Sequence, residues 1–150
     1  MPSTEAIFNI DLTMSFDPSS NFIPSSKIDH VGITAPTDQF ESLVEWYKKA
    51  LVPLNYKELM RFPGAVGLGD EVPDFWISQT ESNTPQNVHF AFTATDYHTV
   101  DAFYDAAIAA GGKCNGKPGL RTEYHPNYYG AFILDPRGNN VEMVLNSIVL

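Results

Sequence analysis

Two histidines and one glutamate stand out among the residues that could do chemistry. His30 lies in Lys27–Thr34, His89 in Asn87–Thr93 and Glu142 in Asn140–Leu145, three stretches that read as strands. Residues two apart in a strand share a face. His30, Gly32 and Thr34 therefore oppose Val31 and Ile33. His89, Ala91 and Thr93 oppose Val88, Phe90 and Phe92, and Glu142 and Val144 oppose Val141, Met143 and Leu145. Each candidate stands opposite the greasier side, which must cover a helix. Two imidazoles and one carboxylate on one face suit Zn²⁺ or the facial arrangement of non-haem Fe(II), with positions open for substrate. Plainer roles compete with this. A strand histidine often serves as a hydrogen-bonded packing residue, and Glu142 could be solvated or paired with a lysine.

A second cluster comprises His125, Tyr128 and Tyr129. Histidine and tyrosine both donate and accept protons, so His125 and Tyr129 are candidate acid–base groups and Tyr128 a candidate substrate contact. The competing reading is a turn at His125-Pro126-Asn127 with tyrosines packed on the sheet. Adjacent strand residues face opposite sides, so at most one of the two tyrosines reaches a cavity on one face. Arg121 could hold an anionic substrate group or make a surface ion pair. Trp76 and Phe75 read as cavity wall or core. His98 has no assigned role, and Cys114 reads as structural.

The elements that must position these groups follow a repeated order. Lys27–Thr34 reads as a strand, and Ala35-Pro36-Thr37 breaks it. Asp38 is placed to cap a helix, with Glu41 as reciprocal partner. Phe40, Leu43, Val44, Tyr47 and Leu51 form one helical face, and Pro53 ends it. Strands are expected at Asn55–Arg61, Ala65–Leu68 and Asp74–Gln79, separated by Phe62-Pro63-Gly64 and by 69–73. The second half repeats the pattern. Asn87–Thr93 is a strand and Asp96 caps a helix whose apolar face is Val100, Phe103, Tyr104, Ala107 and Ile108. Gly111-Gly112 closes that helix. Strands are expected at Lys113–Arg121, Tyr128–Leu134 and Asn140–Leu145, the last two joined by a hairpin turn at 135–139. The chain thus reads as an α+β protein of two βαβββ modules, about 27–80 and 86–150. Two such sheets side by side curl into a curved mixed-sheet trough, a natural ligand cavity.

Residues 1–26 precede this pattern. They are rich in Ser, Thr, Pro and Asn, yet Phe8, Ile10 and Leu12 alternate with polar residues. This segment is expected to be an arm packed on its own or a partner subunit. It carries no Lys or Arg, unlike a secretory or mitochondrial leader. The chain has 150 residues, 43% of them hydrophobic, which fits one domain with a real core. Its net charge of -9 argues against nucleic acid and anionic membranes as partners. One cysteine excludes an internal disulfide. A cytoplasmic location is expected.

Three segments resemble the glyoxalase/bleomycin-resistance/dioxygenase group, the vicinal oxygen chelate superfamily. They are His30-Val31-Gly32-Ile33, His89-Phe90-Ala91-Phe92, and the last hairpin, in which Asp135-Pro136-Arg137-Gly138-Asn139-Asn140-Val141-Glu142 is the most specific piece. Tyr124-His125-Pro126-Asn127-Tyr128-Tyr129-Gly130 is similar to a subset of small microbial members. The resemblance covers nearly all of 27–145. It implies a divalent metal (Fe, Zn, Mn or Ni) held by His30, His89 and Glu142, with Glu142 close to the chemistry. A fourth position, a carboxylate in glyoxalase I, falls here on Trp76, with Asp74 two residues away on the same strand face. An indole cannot replace that ligand, so a true glyoxalase I is not expected. The resemblance implies an isomerase, lyase or dioxygenase acting on a small oxygenated metabolite. The alternative is a metal-free protein that sequesters a drug or metabolite, and a third possibility is a member without chemistry. In either functional case a homodimer is expected.

Overall fold

The computed structural model describes residues 28–146. The expected arm lies outside these residues. The first module contains β1 (Val31–Pro36), α1 (Thr37–Ala50), a 3-10 turn (Val52–Leu54), β2 (Lys57–Phe62), β3 (Ala65–Gly69) and β4 (Phe75–Thr80). The second contains β5 (His89–Thr93), α2 (Tyr97–Ala109), β6 (Lys113–Leu120), β7 (Tyr128–Leu134) and β8 (Asn140–Asn146). This is the expected α+β architecture of two βαβββ modules. Each forms a four-stranded mixed sheet, in the orders β1-β4-β3-β2 and β5-β8-β7-β6. In each, the first strand pairs parallel to the last, which places both beside the module's helix crossover.

Helix α1 forms where apolar residues recur at helical spacing, burying Phe40, Leu43, Val44, Trp46, Tyr47 and Ala50. Trp46 was not part of the expected face. Its N-terminus corrects one expectation: Pro36 occupies the cap position and no side chain caps the helix. Asp38 lies inside the first turn, where a negative charge still favours the helix dipole. Glu41 pairs with Arg61 at 2.7 Å. Asp96 does cap α2, accepting from the Thr99 N–H at 2.7 Å. Helix α2 buries Val100, Phe103 and Ala107, while Ile108 is exposed.

The modules join through the helix-covered sides of their sheets. Phe75 of β4 lies 5.3 Å from Phe90 and 5.5 Å from Phe92 of β5, ring centre to ring centre. Tyr56 meets Phe92 edge-on at 5.5 Å. The buried Tyr47 hydroxyl on α1 donates to Asp135 in the last hairpin at 2.5 Å. Arg137, in the same hairpin, donates to Gln39 of α1 and to the Asn83 and Thr84 carbonyls of the linker. Among the described residues, no helix is long and apolar enough to cross a membrane.

The turn from β3 to β4 depends on a missing side chain. A Cβ added to Gly69 would sit 1.8 Å from the Val72 carbonyl oxygen. Gly69→Ala must therefore move backbone and is expected to cost about 3 kcal/mol, read as a lower denaturation midpoint. An unchanged midpoint would contradict this account of the turn.

Candidate functional site

The register defines equivalent positions in the two modules. On the parallel pairs, Gly32 faces Trp76 as Ala91 faces Glu142. His89 faces Asn140 two residues before the Ala91–Glu142 pair, and two residues before Gly32 and Trp76 the same places fall to His30 and Asp74. Trp76 thus stands where the second module has Glu142. Asp74 stands where it has Asn140, and its carboxylate accepts the Tyr56 hydroxyl at 2.7 and 2.9 Å. A register shift that would bring Asp74 to the Glu142-equivalent position does not occur.

Strands β5, β7 and β8 bring three groups together on one sheet face. Glu142 is a buried carboxylate, 3% exposed, beneath His89 and Tyr128. One oxygen accepts a very short hydrogen bond from the Tyr128 hydroxyl. The other lies 3.3 Å from His89 Nε2. His89 Nδ1 lies 3.0 Å from the Asn140 carbonyl oxygen. A carbonyl cannot donate, so Nδ1 must carry the proton. Nε2 and the carboxylate oxygen then face each other, and the contact needs a shared proton or a cation. Burial and the Glu142 carboxylate hold the Tyr128 hydroxyl well above the ordinary tyrosine range, because ionising it would put two negative charges side by side. Tyr128 is therefore a fixed donor to Glu142 at neutral pH.

The rim of this face carries Arg121. Its guanidinium sits 5.6 Å from the Phe132 ring centre, and its Nη2 donates to the Lys117 carbonyl at 2.7 Å. Cβ atoms at Gly116 and Gly119 would lie 3.2 and 3.1 Å from its nitrogens, so these glycines leave the slot it occupies. The remaining N–H groups of the fork can meet an anion.

The other candidates are placed elsewhere. Tyr129 points to the helix side, as strand alternation requires. Its hydroxyl donates to Asp101 at 2.7 Å and its ring stacks on Tyr97 at 4.2 Å. This corrects its assignment as an acid–base group beside Glu142; Tyr128 holds that place. His125 serves the turn before β7, where Nδ1 accepts from the Asn127 N–H at 3.1 Å. Its expected acid–base role has no contact with Glu142 or His89 behind it.

His30 does not join His89 and Glu142. Among the described residues no three His, Cys, Asp or Glu side chains are grouped to hold a metal. His30 instead lies 2.6 Å from Asp29, in a cavity of about 620 Å³ lined by Asp29, His30, Gly32, Met60, Pro73, Trp76 and Ser78. That cavity is built wholly from the first module. Whether the two modules pair within one chain or between chains is open in the sequence, and among the described residues of one chain the three candidate ligands do not converge. Sequence alternation gave each residue's sheet face, but it carries no information on how two sheets are set against each other. His89 and Glu142 supply two of the donors a divalent cation takes, with the imidazole oriented by a carbonyl as metal-binding histidines are. The donor types fit such an ion, and the set within one chain is incomplete. Sequence reasoning missed Asp29, the Asn140 carbonyl and Phe62. Only Phe62 left a signal, since it lies two residues after Met60 and so shares its strand face, at the start of what reads as a turn.

Two βαβββ modules, each a four-stranded mixed sheet whose first and last strands pair in parallel, define the class of fold. Residues 27–143 match the family model of the Glyoxalase/Bleomycin resistance protein/Dioxygenase superfamily, and the chain belongs to that superfamily. Among solved structures, it is similar to a glyoxalase/bleomycin resistance protein from Albidiferax ferrireducens T118. The two are 23% identical with a TM-score of 0.67, over 81% of this chain and 100% of that one. A glyoxalase/bleomycin resistance protein/dioxygenase family enzyme from Burkholderia phytofirmans PsJN matches at 19% identity and TM-score 0.63, over 80% and 98% of the two chains. A lactoylglutathione lyase from Agrobacterium tumefaciens matches at 18% identity and TM-score 0.61, over 83% and 96%. At these identities the likeness is one of fold. A sequence search finds no curated protein that matches.

Proposed function

We propose that this protein is a metal-dependent enzyme acting on a small oxygenated metabolite, with a site completed between two copies of the chain. His89, Glu142, Tyr128 and Arg121 come from one copy, and His30 and Trp76 from the other. The observation that carries this reading is the His89–Glu142 contact. A buried carboxylate and an imidazole whose Nδ1 is committed to a carbonyl leave two donors aimed at one point. A divalent cation there supplies Lewis-acid stabilisation of oxyanion or enolate-like charge. Tyr128 holds Glu142 in place through its hydroxyl, and Arg121 offers an anchor for an acidic substrate group. The chemistry is that of an isomerase, lyase or dioxygenase.

The completed site needs a homodimer, because His30 is held in a separate cavity within its own chain. Mixing tests this. His30→Ala and Glu142→Ala proteins are each expected to bind metal poorly. After dissociation and random re-pairing, half the dimers are mixed, and each mixed dimer carries one intact site. About a quarter of the sites should then regain metal. No recovery, or a sedimentation mass of one chain, would sink the shared site.

One observation favours a second reading, a metal-free protein that sequesters a drug or metabolite. Trp76 stands where the other module has a carboxylate and lines a cavity beside Met60 and Pro73. Tight binding of a cationic glycopeptide without metal or turnover would support that reading over the enzyme.

A further inference from the structure

The Trp76 indole lines the first-module cavity, and the Phe62 ring lies against that indole just outside the lining. Trp76 is fixed on one side by its own indole N–H, which donates to the Pro73 carbonyl at 3.1 Å. Its six-membered ring lies across the neighbouring strand at Gly67, its register partner. A Cβ on Gly67 would come within 2.9 Å of that ring and 2.8 Å of Pro73. Glycine is therefore what lets the indole lie down on the sheet. Phe62 extends the surface, with its ring inclined 15° to the indole and centred 6.1 Å away. Phe62 is 54% exposed and Met60 45% exposed, so apolar surface is left in water beside the cavity. Gly32 forms part of the floor. Its φ does not demand glycine, and a Cβ there would make ordinary contacts at 3.7 and 3.8 Å, so glycine leaves room and nothing more.

We propose that Trp76 and Phe62 form a stacking shelf that binds a flat aromatic ring carrying no negative charge, in the cavity walled by Met60, Pro73 and Gly32. The volume of about 620 Å³ fits a ligand of two or three fused rings. Offset stacking on a fixed indole favours planar over puckered ligands. Asp29 in the lining and the chain's charge of -9 disfavour anions and favour cationic rings. The shelf rests on the reading of this chain as a small-molecule binder and is independent of the metal.

The chain has two tryptophans, so its two indole N–H resonances report on the shelf and on a control. Trp46 is buried, and its N–H has no partner among the described residues. Trp76→Leu assigns the signals. Quinoline and N-methylquinolinium are expected to shift the Trp76 resonance and leave that of Trp46 in place. Decahydroquinoline and 2-naphthoate should do neither at the same concentration. Trp76→Leu and Gly67→Ala should weaken N-methylquinolinium about tenfold by calorimetry, and Gly32→Ala, which fits without strain, should weaken it too. Equal binding of decahydroquinoline, no shift at Trp76, or full affinity in both Trp76→Leu and Gly32→Ala would overturn the shelf. Loss of metal with the probe still bound would leave the shelf standing, and metal binding without probe binding would remove the shelf alone.

Discussion

Glu142→Gln is expected to lower the affinity for divalent metal by at least about 100-fold, since losing only an outer-shell partner of a ligand already costs ~10–100-fold. The amide matches the carboxylate in size. Its oxygen can still accept from Tyr128, and its NH₂ can donate to His89 Nε2, so the buried position stays satisfied. What disappears is the negative charge that draws a cation. The fold should therefore survive, with a thermal midpoint close to wild type. Tyr128→Phe removes the hydroxyl that holds Glu142 and should weaken metal about tenfold, in line with an outer-shell role. Elemental analysis after loading with Fe²⁺, Mn²⁺, Zn²⁺ or Ni²⁺ separately gives the comparison. Wild-type loading near one ion per chain, lost in Glu142→Gln, is the expected result. Equal loading of both proteins would remove Glu142 from the metal site, and no loading of the wild type by any ion would move metal-free sequestration to first place.

The second large effect concerns the tie between modules. Asp135 is 4% exposed and accepts four hydrogen bonds: from the Tyr47 hydroxyl at 2.5 Å, the Arg137 and Asn139 N–H groups at 2.8 and 3.0 Å, and the Asn139 amide at 2.8 Å. Asp135→Ala strands all four donors, two of them on buried side chains. A loss of about 4 kcal/mol is expected in chemical denaturation. Tyr47→Phe removes one donor and leaves Asp135 three others, so it should cost only about 1 kcal/mol. If the two substitutions cost the same, the hairpin bonds contribute little and the account is wrong.

Tyr47 also predicts a dependence on pH. Burial first, then the Asp135 charge and the hydrogen bond to it, raise its pKa well above the ordinary 10.0. The folded protein keeps this proton at a pH where the unfolded chain has lost it. The contribution is full below pH 10.0 and falls as pH rises above that value, by about 1.4 kcal/mol per unit. Tyr56 and Tyr128 are shifted in the same direction and act with the same sign. Tyr47→Phe should therefore lose stability less steeply above pH 10.0 than the wild type. Parallel curves would show that Tyr47 is not the group titrating.

The sequence by itself determined the modules and the faces. Alternation in His89–Thr93 and helical spacing in Tyr97–Ala109 report on local geometry, where each residue's neighbours are set by a period of two or 3.6. Glu142 and His89 were legible as partners because each opposes an apolar strand side and the last hairpin carries a family motif. The same alternation left Tyr128 and Tyr129 as alternatives, and only the tertiary structure decided that Tyr128 meets Glu142 while Tyr129 meets Asp101. The cap of α1 was misread because Pro36 and Asp38 are both compatible with a helix start, and the strand runs straight into the helix at Pro36. The separation of His30 from His89 was not legible at all. It depends on Phe75, Phe90 and Phe92 packing across the module interface. Such contacts link distant parts of the chain through shape and apolar burial, and these leave no period in the sequence.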